Sequence, residues 1–237
     1  MYQATTLTTH SASFKAKQFF ALVKFRLSAL VVFSGVFGFM MAASGNLDWM
    51  KISALIVGSF LITGAANTLN QVIEKDLDRM MKRTALRPLP TGTISSMEAM
   101  VFSVILALIG AAVMFFFVNT FATILALFSL VLYAFVYTPL KQITPLSVLV
   151  GAFPGAFPPL IGWVAFSGEI TTEAMVIYGI QFFWQFPHFW AIAWVGNEDY
   201  TKAGFKMLPY GKSVQTATQI MIYTLFLIPL SILPFQI

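Results

Sequence analysis

The sequence predicts an all-α integral membrane protein that crosses the bilayer seven times. Hydrophobic residues make up 58% of the 237 residues and charged residues only 10%, whereas a soluble domain is about a quarter charged. Apolar runs of about the 20 residues that a bilayer core requires recur along the chain. The predicted spans are 19–43, 52–73, 98–118, 120–138, 146–166, 173–195 and 214–236.

The chain before the first span is polar and rich in Thr and Ser, so we expect no cleavable signal peptide there. We therefore expect a polar cytoplasmic tail at 1–18, which includes His10, and a single transmembrane domain at 19–237. The chain has no Cys, which excludes disulfides, thiolate metal sites and a cysteine nucleophile.

The cationic residues indicate the orientation in the membrane. All but one of the 14 Lys and Arg residues lie in the tail or in connections on the same face, and Lys51 is the exception. By the positive-inside rule that face is cytoplasmic, and so are the two long charged loops at about 74–97 and 196–213. Topology thus explains the net charge of +5, so we expect membrane lipid and no nucleic acid as a partner.

The second span ends in a dense cluster of charges, NQVIEKDLDRMMKRTALRPLPTG at 70–92. Asn70, Glu74 and Asp78 recur at i, i+4 and i+8 and align on one helix face, while Asp76 points elsewhere. Mg²⁺ takes carboxylates together with substrate phosphates, and Lys and Arg suit the phosphate oxygens. The segment predicts an enzyme that handles a diphosphate at a membrane surface. The alternative is a solvated helix end with ion pairs.

Four cationic residues of the same segment are candidates for phosphate contacts: Arg79, Lys82, Arg83 and Arg87. Arg offers paired hydrogen bonds, and Lys offers a mobile charge. Some of the four anchor the loop to anionic lipid instead. Arg87, held before the sequence Pro-Leu-Pro, is the strongest candidate for a specific role.

The later spans carry three further patterns. Ser95-x-x-Glu98 predicts a capping box at the start of span 3, with no catalytic role. Span 5 has three prolines within 154–159, and such an irregular helix is tolerated where it packs inside protein or lines a cavity. Span 6 carries Gln181, Gln185 and His188, and polar groups inside a span usually face a cavity.

Three passages resemble the UbiA-type intramembrane prenyltransferases, and within that superfamily the haem O synthase branch. They are DLDRMMKRTALRPLPTG at 76–92, YTPLKQITPLSVLVGAFPGAFPPLIGW at 137–163 and FFWQFPHFWAIAWVGNEDYTKAGFKMLP at 182–209. The resemblance implies a ring of nine transmembrane helices. With seven predicted spans, we expect a UbiA-like ring from which the last two helices are missing.

The resemblance also implies an activity, which is transfer of a farnesyl group from farnesyl diphosphate to a vinyl group of haem B. Addition of water would complete the product, haem O, with release of diphosphate. Mg²⁺ is the implied cofactor, and haem B is a substrate. The implied partners are a haem A synthase or a terminal oxidase, and the implied location is the bacterial plasma membrane.

Carried over to this chain, the family pattern implies a set of site residues. Asn70, Glu74, Asp78 and Asp199 would be catalytic, and Glu74, Asp78 and Asp199 would bind metal. His188 would touch haem, although it could also satisfy a kinked backbone. The implied diphosphate contacts are Arg79, Lys82, Arg83, Arg87, Lys141 and Lys202.

Two departures from the superfamily pattern bear on the substrate. Glu74 stands where Asp is usual, and the second Asp-x3-Asp motif is replaced by Gly196 and Tyr200, with Asp199 between them. The missing motif disfavours the alternative of a prenyltransferase for an aromatic quinone precursor. A transporter is disfavoured because its ionisable groups would lie near the bilayer midplane, whereas nearly all carboxylates here lie at one face.

Overall fold

The computed structural model describes residues 12–45 and 47–235, which are helical with no β-strand. Residues 1–11 of the predicted tail, with His10, lie outside the described residues. The α-helices of the described chain are α1 (Ala12–Leu22), α2 (Phe25–Ala43), α3 (Trp49–Ile73), α4 (Lys75–Asp78), α5 (Ser96–Phe117), α6 (Thr120–Val131), α7 (Thr138–Ile143), α8 (Ser147–Ser167), α9 (Thr172–Val195), α10 (Asn197–Lys202) and α11 (Val214–Ile232).

Six helices are long and apolar enough to cross a membrane in the part of the chain that the structure describes. They are α2, α3, α5, α8, α11 and the continuous segment Thr120–Ile143, which joins α6 to α7. The sixth predicted span coincides with α9, whose length suffices but whose polar stripe lowers its hydropathy. The all-α membrane fold is confirmed, whereas the count of seven spans is not.

The prediction of one continuous first span at 19–43 is wrong, because the helix breaks at Lys24. Lys24 has φ 49° and ψ 60°, in the left-handed region that residues other than Gly rarely adopt. Its N–H donates to the Ala21 carbonyl at 3.2 Å, and its carbonyl accepts from Ser28 N–H at 3.0 Å, so α2 starts afresh. Hydropathy cannot detect such a break, since the apolar pattern continues through it. The break turns the Lys24 side chain toward the protein interior.

Small residues let α2 and α8 pack with their backbones nearly in contact. A Cβ atom on Gly38 would lie 2.0 Å from the Pro159 carbonyl oxygen, and one on Gly162 would lie 1.7 Å from that of Gly35. No side chain fits at such distances, so only Gly permits this approach. Membrane helices associate through close packing of this kind because lipid supplies no hydrophobic driving force between them.

Two of the three prolines inside α8, Pro158 and Pro159, free backbone carbonyls that side chains of neighbouring helices satisfy. Pro159 has no N–H for the Gly155 carbonyl, and the side-chain amide of Gln185 in α9 donates from Nε2 to that oxygen at 2.8 Å. Pro158 likewise frees the Pro154 carbonyl, which accepts from Ser129 Oγ at 3.4 Å. These bonds tie α8 to α9 and α6 and satisfy backbone groups that the prolines leave without a donor.

A π-helical turn, Leu132–Tyr137, interrupts the segment between α6 and α7. The Tyr133 carbonyl accepts from the backbone N–H of Thr138, five residues later, and also from Thr138 Oγ1 at 2.8 Å. The turn places Tyr133 and Tyr137 side by side, with ring centroids 5.6 Å apart. Single π turns inside α-helices are frequent at functional sites, and both tyrosines here line the cavity described next.

Candidate active site

A cavity of about 540 Å³ lies between α2, α3, α8, α9 and the π-helical turn. Along α3 it extends from Ser59 to Glu74, which is about 22 Å of helix at 1.5 Å per residue. Its inner walls include Ile62, Leu130 and Ile161, so the deep part is mainly apolar. Charged side chains gather where α3 ends, and we call this end the mouth.

The predicted face of Asn70, Glu74 and Asp78 exists and forms one wall of the mouth. Asn70 Nδ2 donates to Glu74 Oε2 at 2.8 Å and to Thr138 Oγ1 at 3.2 Å. The helix is not regular here, because α3 ends at Ile73 and a short helix, α4, carries Asp78. The alignment survives that junction, and the Asp76 side chain points away with 86% exposure.

Two cations pair with the two buried carboxylates. Arg87 Nη1 donates to Asp78 Oδ2 at 2.9 Å, and Lys141 Nζ contacts Glu74 Oε1. Asp78 and Glu74 are 1% and 5% exposed, so neither carboxylate is solvated like an ordinary surface acid. Lys141 also lies 5.0 Å from the Tyr137 ring centroid and 5.2 Å from that of Phe205, a cation–π arrangement that fixes its position.

A third cation, Lys24, reaches the same wall from the break before α2. Its Nζ donates to Asn70 Oδ1 at 3.2 Å. Burial, and next the positive charge of Arg87, lower the pKa of Lys24 from its ordinary 10.5 to about 7. An anion that enters the mouth would favour the protonated, charged form of this lysine.

The acidic wall fits a Mg²⁺ ion that shares its ligands with a substrate. Asp78 Oδ1 is buried and has no hydrogen-bond partner among the described residues. No three acidic or His side chains of the described chain come together as a complete metal site. Mg²⁺ is commonly held by one or two carboxylates plus substrate phosphates and water, which suits a pair such as Glu74 and Asp78.

The remaining predicted cations and acids divide into two groups. Arg83 lines the cavity mouth, together with Tyr200, whose pKa burial raises, so that its phenol stays protonated. Four predicted residues do not line the cavity: Arg79, Lys82, Asp199 and Lys202. Arg79 Nε donates to the Pro90 carbonyl at 2.9 Å instead. The diphosphate and metal roles of these four stay predictions.

The polar stripe of α9 faces the cavity as predicted, with Gln181, Gln185 and His188 in its wall. His188 stacks on Trp184, with ring centroids 4.4 Å apart and planes at 17°. Gln185 is already bonded to the Gly155 carbonyl. His188 therefore has a flat aromatic support, and its ring nitrogens have no protein partner in the described structure. A side chain in this arrangement suits contact with a planar ligand.

Sequence reasoning missed three residues of the mouth: Lys24, Tyr133 and Tyr200. The positive-inside rule alone accounts for Lys24 as a cation of the cytoplasmic face. A lysine with left-handed backbone angles has no sequence signature. Tyr133 enters the wall through the π-helical turn, which apolar periodicity does not reveal. Tyr200 did have a signal, since it occupies a position where the superfamily has an acid.

Buried carboxylates and cations lie above an apolar cavity, an arrangement that suits the diphosphate of a lipid. It is the arrangement expected of a membrane-embedded prenyltransferase. The chain belongs to the UbiA prenyltransferase family, whose model matches residues 31–237.

Curated relatives at higher identity carry a narrower name. The protoheme IX farnesyltransferase of Cytophaga hutchinsonii is 50% identical over 219 residues, covering 92% of this chain and 77% of that protein. The protoheme IX farnesyltransferase of Flavobacterium johnsoniae is 44% identical over 216 residues, covering 90% of this chain and 72% of that protein. The resemblance to the haem-farnesylating branch is thereby confirmed.

Solved structures show the same fold at lower identity. A structure described in connection with digeranylgeranylglyceryl phosphate synthase gives a TM-score of 0.76 at 21% identity, covering 93% of this chain and 77% of that chain. A UbiA homologue from Archaeoglobus fulgidus, bound to DMAPP and Mg²⁺, gives 0.69 at 18% identity, covering 92% and 75%. The helical arrangement is therefore that of the UbiA fold.

Proposed function

We propose that this protein transfers a farnesyl group from farnesyl diphosphate to a vinyl group of haem B, with addition of water, to give haem O. The observation that carries the proposal is the mouth itself, in which Asp78 has one oxygen held by Arg87 and one oxygen free. The identity of 50% to a protoheme IX farnesyltransferase supports haem as the acceptor.

The cations of the mouth would bind the diphosphate. Lys24, Arg87 and Lys141 converge on one wall, where they are paired with Asn70, Asp78 and Glu74 respectively. Glu74 and Asp78 would hold Mg²⁺, which supplies electrostatic stabilisation of the charge on the departing diphosphate. The cations would then exchange carboxylate contacts for phosphate contacts. The phosphate contacts would strengthen as negative charge builds up on the departing diphosphate.

The apolar part of the cavity would protect the reacting carbon. When the bond from farnesyl C1 to oxygen breaks, its electron pair leaves with the diphosphate, and an allylic cation remains. Ile62, Leu130 and Ile161 line that region and would keep bulk water away from it, so the vinyl group of haem would attack C1 before water does. The new cation next to the porphyrin takes up one water molecule, whose released proton goes to the diphosphate or to solvent. A vinyl nucleophile has no proton to lose first, so no strong general base is needed.

The haem would lie against α9. His188 and Trp184 stack in the cavity wall, and a flat ring pair of this kind suits the face or edge of a porphyrin. We propose a location in the bacterial plasma membrane, with the mouth toward the cytoplasm. A haem A synthase or a terminal oxidase as a partner stays a prediction.

The test is a reaction in lipid nanodiscs with haem B, farnesyl diphosphate and Mg²⁺, followed by mass spectrometry. We expect the farnesylated, hydrated haem from the wild-type protein and none from Glu74→Gln. Asp76→Asn, whose side chain points away from the cavity, is the matched control and should form product normally. If haem B stays unreacted while an aromatic quinone precursor is prenylated, the acceptor assignment is wrong.

A further inference from the structure

The carboxylate of Asp199 accepts hydrogen bonds that join the two charged loops. We call residues 79–95 loop A and residues 196–213 loop B. Asp199 Oδ1 accepts from the backbone N–H of Lys82, and Asp199 Oδ2 accepts from that of Arg83, both at 3.4 Å. Two successive N–H groups directed at one anion form a small anion-binding concavity. Loop B thus supplies the anion, and loop A supplies the donors.

Apolar packing beneath this contact joins the same two loops. Met81 of loop A is 3% exposed and lies in one buried cluster with Ala203, Phe205 and Met207 of loop B. A backbone bond from Lys206 N–H to the Lys141 carbonyl, at 2.7 Å, attaches loop B to the helix that carries Lys141. The contact of Asp199 therefore lies above a packed layer, which fixes its distance to loop A.

Adjacent residues of α10 serve opposite sides of this layer. Asp199 points to the backbone of loop A and does not line the cavity, whereas Tyr200 does line it. Tyr200 Oη accepts from Arg83 Nη2 at 3.4 Å. Residues next to each other on a helix point about 100° apart, so one turn can supply both contacts. The backbone and the side chain of Arg83 are thus both held from loop B.

We propose that Asp199 is a positioning residue, which docks loop A on loop B and so aims Arg83 at the cavity mouth, rather than a ligand of Mg²⁺. Both carboxylate oxygens of Asp199 already accept backbone hydrogen bonds, and Asp199 does not line the cavity whose wall Glu74 and Asp78 form. This inference rests on the proposed binding of a prenyl diphosphate at the mouth. It assigns metal binding to Glu74 and Asp78 without a third acid.

The first experiment separates positioning from metal binding. Mn²⁺ bound to the purified protein is counted by EPR in the presence of farnesyl thiolodiphosphate, an analogue that does not react. We expect Asp199→Asn to bind as many Mn²⁺ ions as the wild type and Asp78→Asn to bind at least one fewer. In turnover, Asp199→Asn should raise the KM for farnesyl diphosphate by about 3- to 10-fold, as expected for one or two lost hydrogen bonds. Its kcat and its half-saturating Mg²⁺ concentration should stay unchanged.

Glu198→Gln is the matched control, because Glu198 is the neighbouring acid on α10 and shows no ion pair in the described structure. It should leave KM and the Mn²⁺ count unchanged. A lower Mn²⁺ count in Asp199→Asn would overturn the proposal and make Asp199 a metal ligand. A Mg²⁺ requirement raised by about tenfold or more, a loss already typical when a group that orients a metal ligand is removed, would also overturn it.

A second measurement observes loop docking directly and needs no activity. The chain has no Cys, so spin labels can be attached at Met80→Cys in loop A and Thr201→Cys in loop B. We expect a narrow distance distribution that broadens in Asp199→Asn and stays narrow in Glu198→Gln. An unchanged distribution in Asp199→Asn would refute the docking role. If the wild type forms no farnesylated haem, the proposed function fails, while the spin labels still report on Asp199.

Discussion

Arg87 holds one oxygen of Asp78 and leaves the other free. The Arg87 Nη1 to Asp78 Oδ2 distance is 2.9 Å, and Asp78 Oδ1 is buried without a partner in the described residues. A buried acceptor without a donor costs free energy, so the site retains this atom at a cost to stability. Such a cost is typical of an atom reserved for a ligand.

Replacing Asp78 by Asn should therefore abolish catalysis without unfolding the protein. The amide side chain of this variant keeps the shape of the carboxylate but loses its charge, and we expect turnover to fall on the order of 100-fold or more. Initial rates at saturating Mg²⁺, with thermal unfolding of the same samples, provide the measurement. Asp76→Asn is the control and should keep the wild-type rate. Equal losses in both variants would show that the free oxygen of Asp78 has no special role.

Lys24 predicts a specific pH dependence. With a pKa of about 7, it is protonated below that pH and neutral above it. Farnesyl diphosphate is an anion, so kcat/KM, which reports the free enzyme, should fall by up to about tenfold per pH unit above a pH of about 7. The side chain of Lys24→Arg stays charged, so this variant should lose that step. A step that persists in Lys24→Arg would belong to another group.

The same lysine should make the free energy of unfolding rise with pH, whereas it makes kcat/KM fall. Between the folded pKa of about 7 and the ordinary 10.5, the unfolded chain binds the proton and the folded chain does not. Unfolding free energy should therefore rise with pH over that window. Thermal unfolding of Lys24→Met should lack this rise, which would separate the lysine from other titrating groups.

The contact between α2 and α8 predicts a position where the smallest substitution is harmful. A Cβ on Gly162 would overlap the Gly35 carbonyl, and overpacking of this kind costs about 1–3 kcal/mol. We expect Gly162→Ala to lower the thermal unfolding midpoint clearly. Gly179→Ala, with no atom within 4 Å of the new methyl group, should match the wild type or exceed it, because Ala favours helix. A neutral Gly162→Ala would mean that the two helices can separate freely.

Gln185 should be needed only because Pro159 is present. Gln185→Leu removes the hydrogen bond to the Gly155 carbonyl, which costs about 0.5–1.5 kcal/mol. Pro159→Ala restores a backbone N–H four residues after Gly155, so Gln185→Leu should be nearly neutral in that background. A double-mutant cycle of unfolding free energies measures the coupling. Additive effects would show that Gln185 acts on something other than this carbonyl.

Much of the fold and half of the site followed from local chemistry. Apolar runs located the helices, and Ser95 and Glu98 form the predicted capping box. The i, i+4, i+8 spacing placed Asn70, Glu74 and Asp78 on one wall. These features depend on residues close in sequence, where helix geometry alone decides which side chains meet.

The remaining features depend on contacts between distant segments or on the backbone itself. Lys24 joins the site through a left-handed residue, and Asp199 meets loop A across more than a hundred residues. The sequence of α9 does not reveal which of its polar side chains bonds to the backbone carbonyl that Pro159 leaves without a donor. Gln185 and His188 lie one helical turn apart, yet one bonds to α8 and the other stacks on Trp184.

The π-helical turn at Leu132–Tyr137 sets the rotational position of everything that follows it on the same segment. One residue corresponds to about 100° of rotation around a helix axis. Losing a single residue from the turn would restore regular α-helix, leave the apolar composition almost unchanged, and swing Lys141 out of the cavity. Natural variation in this stretch should therefore consist of substitutions rather than insertions or deletions, because the chain length between Thr120 and Lys141 is itself part of the site.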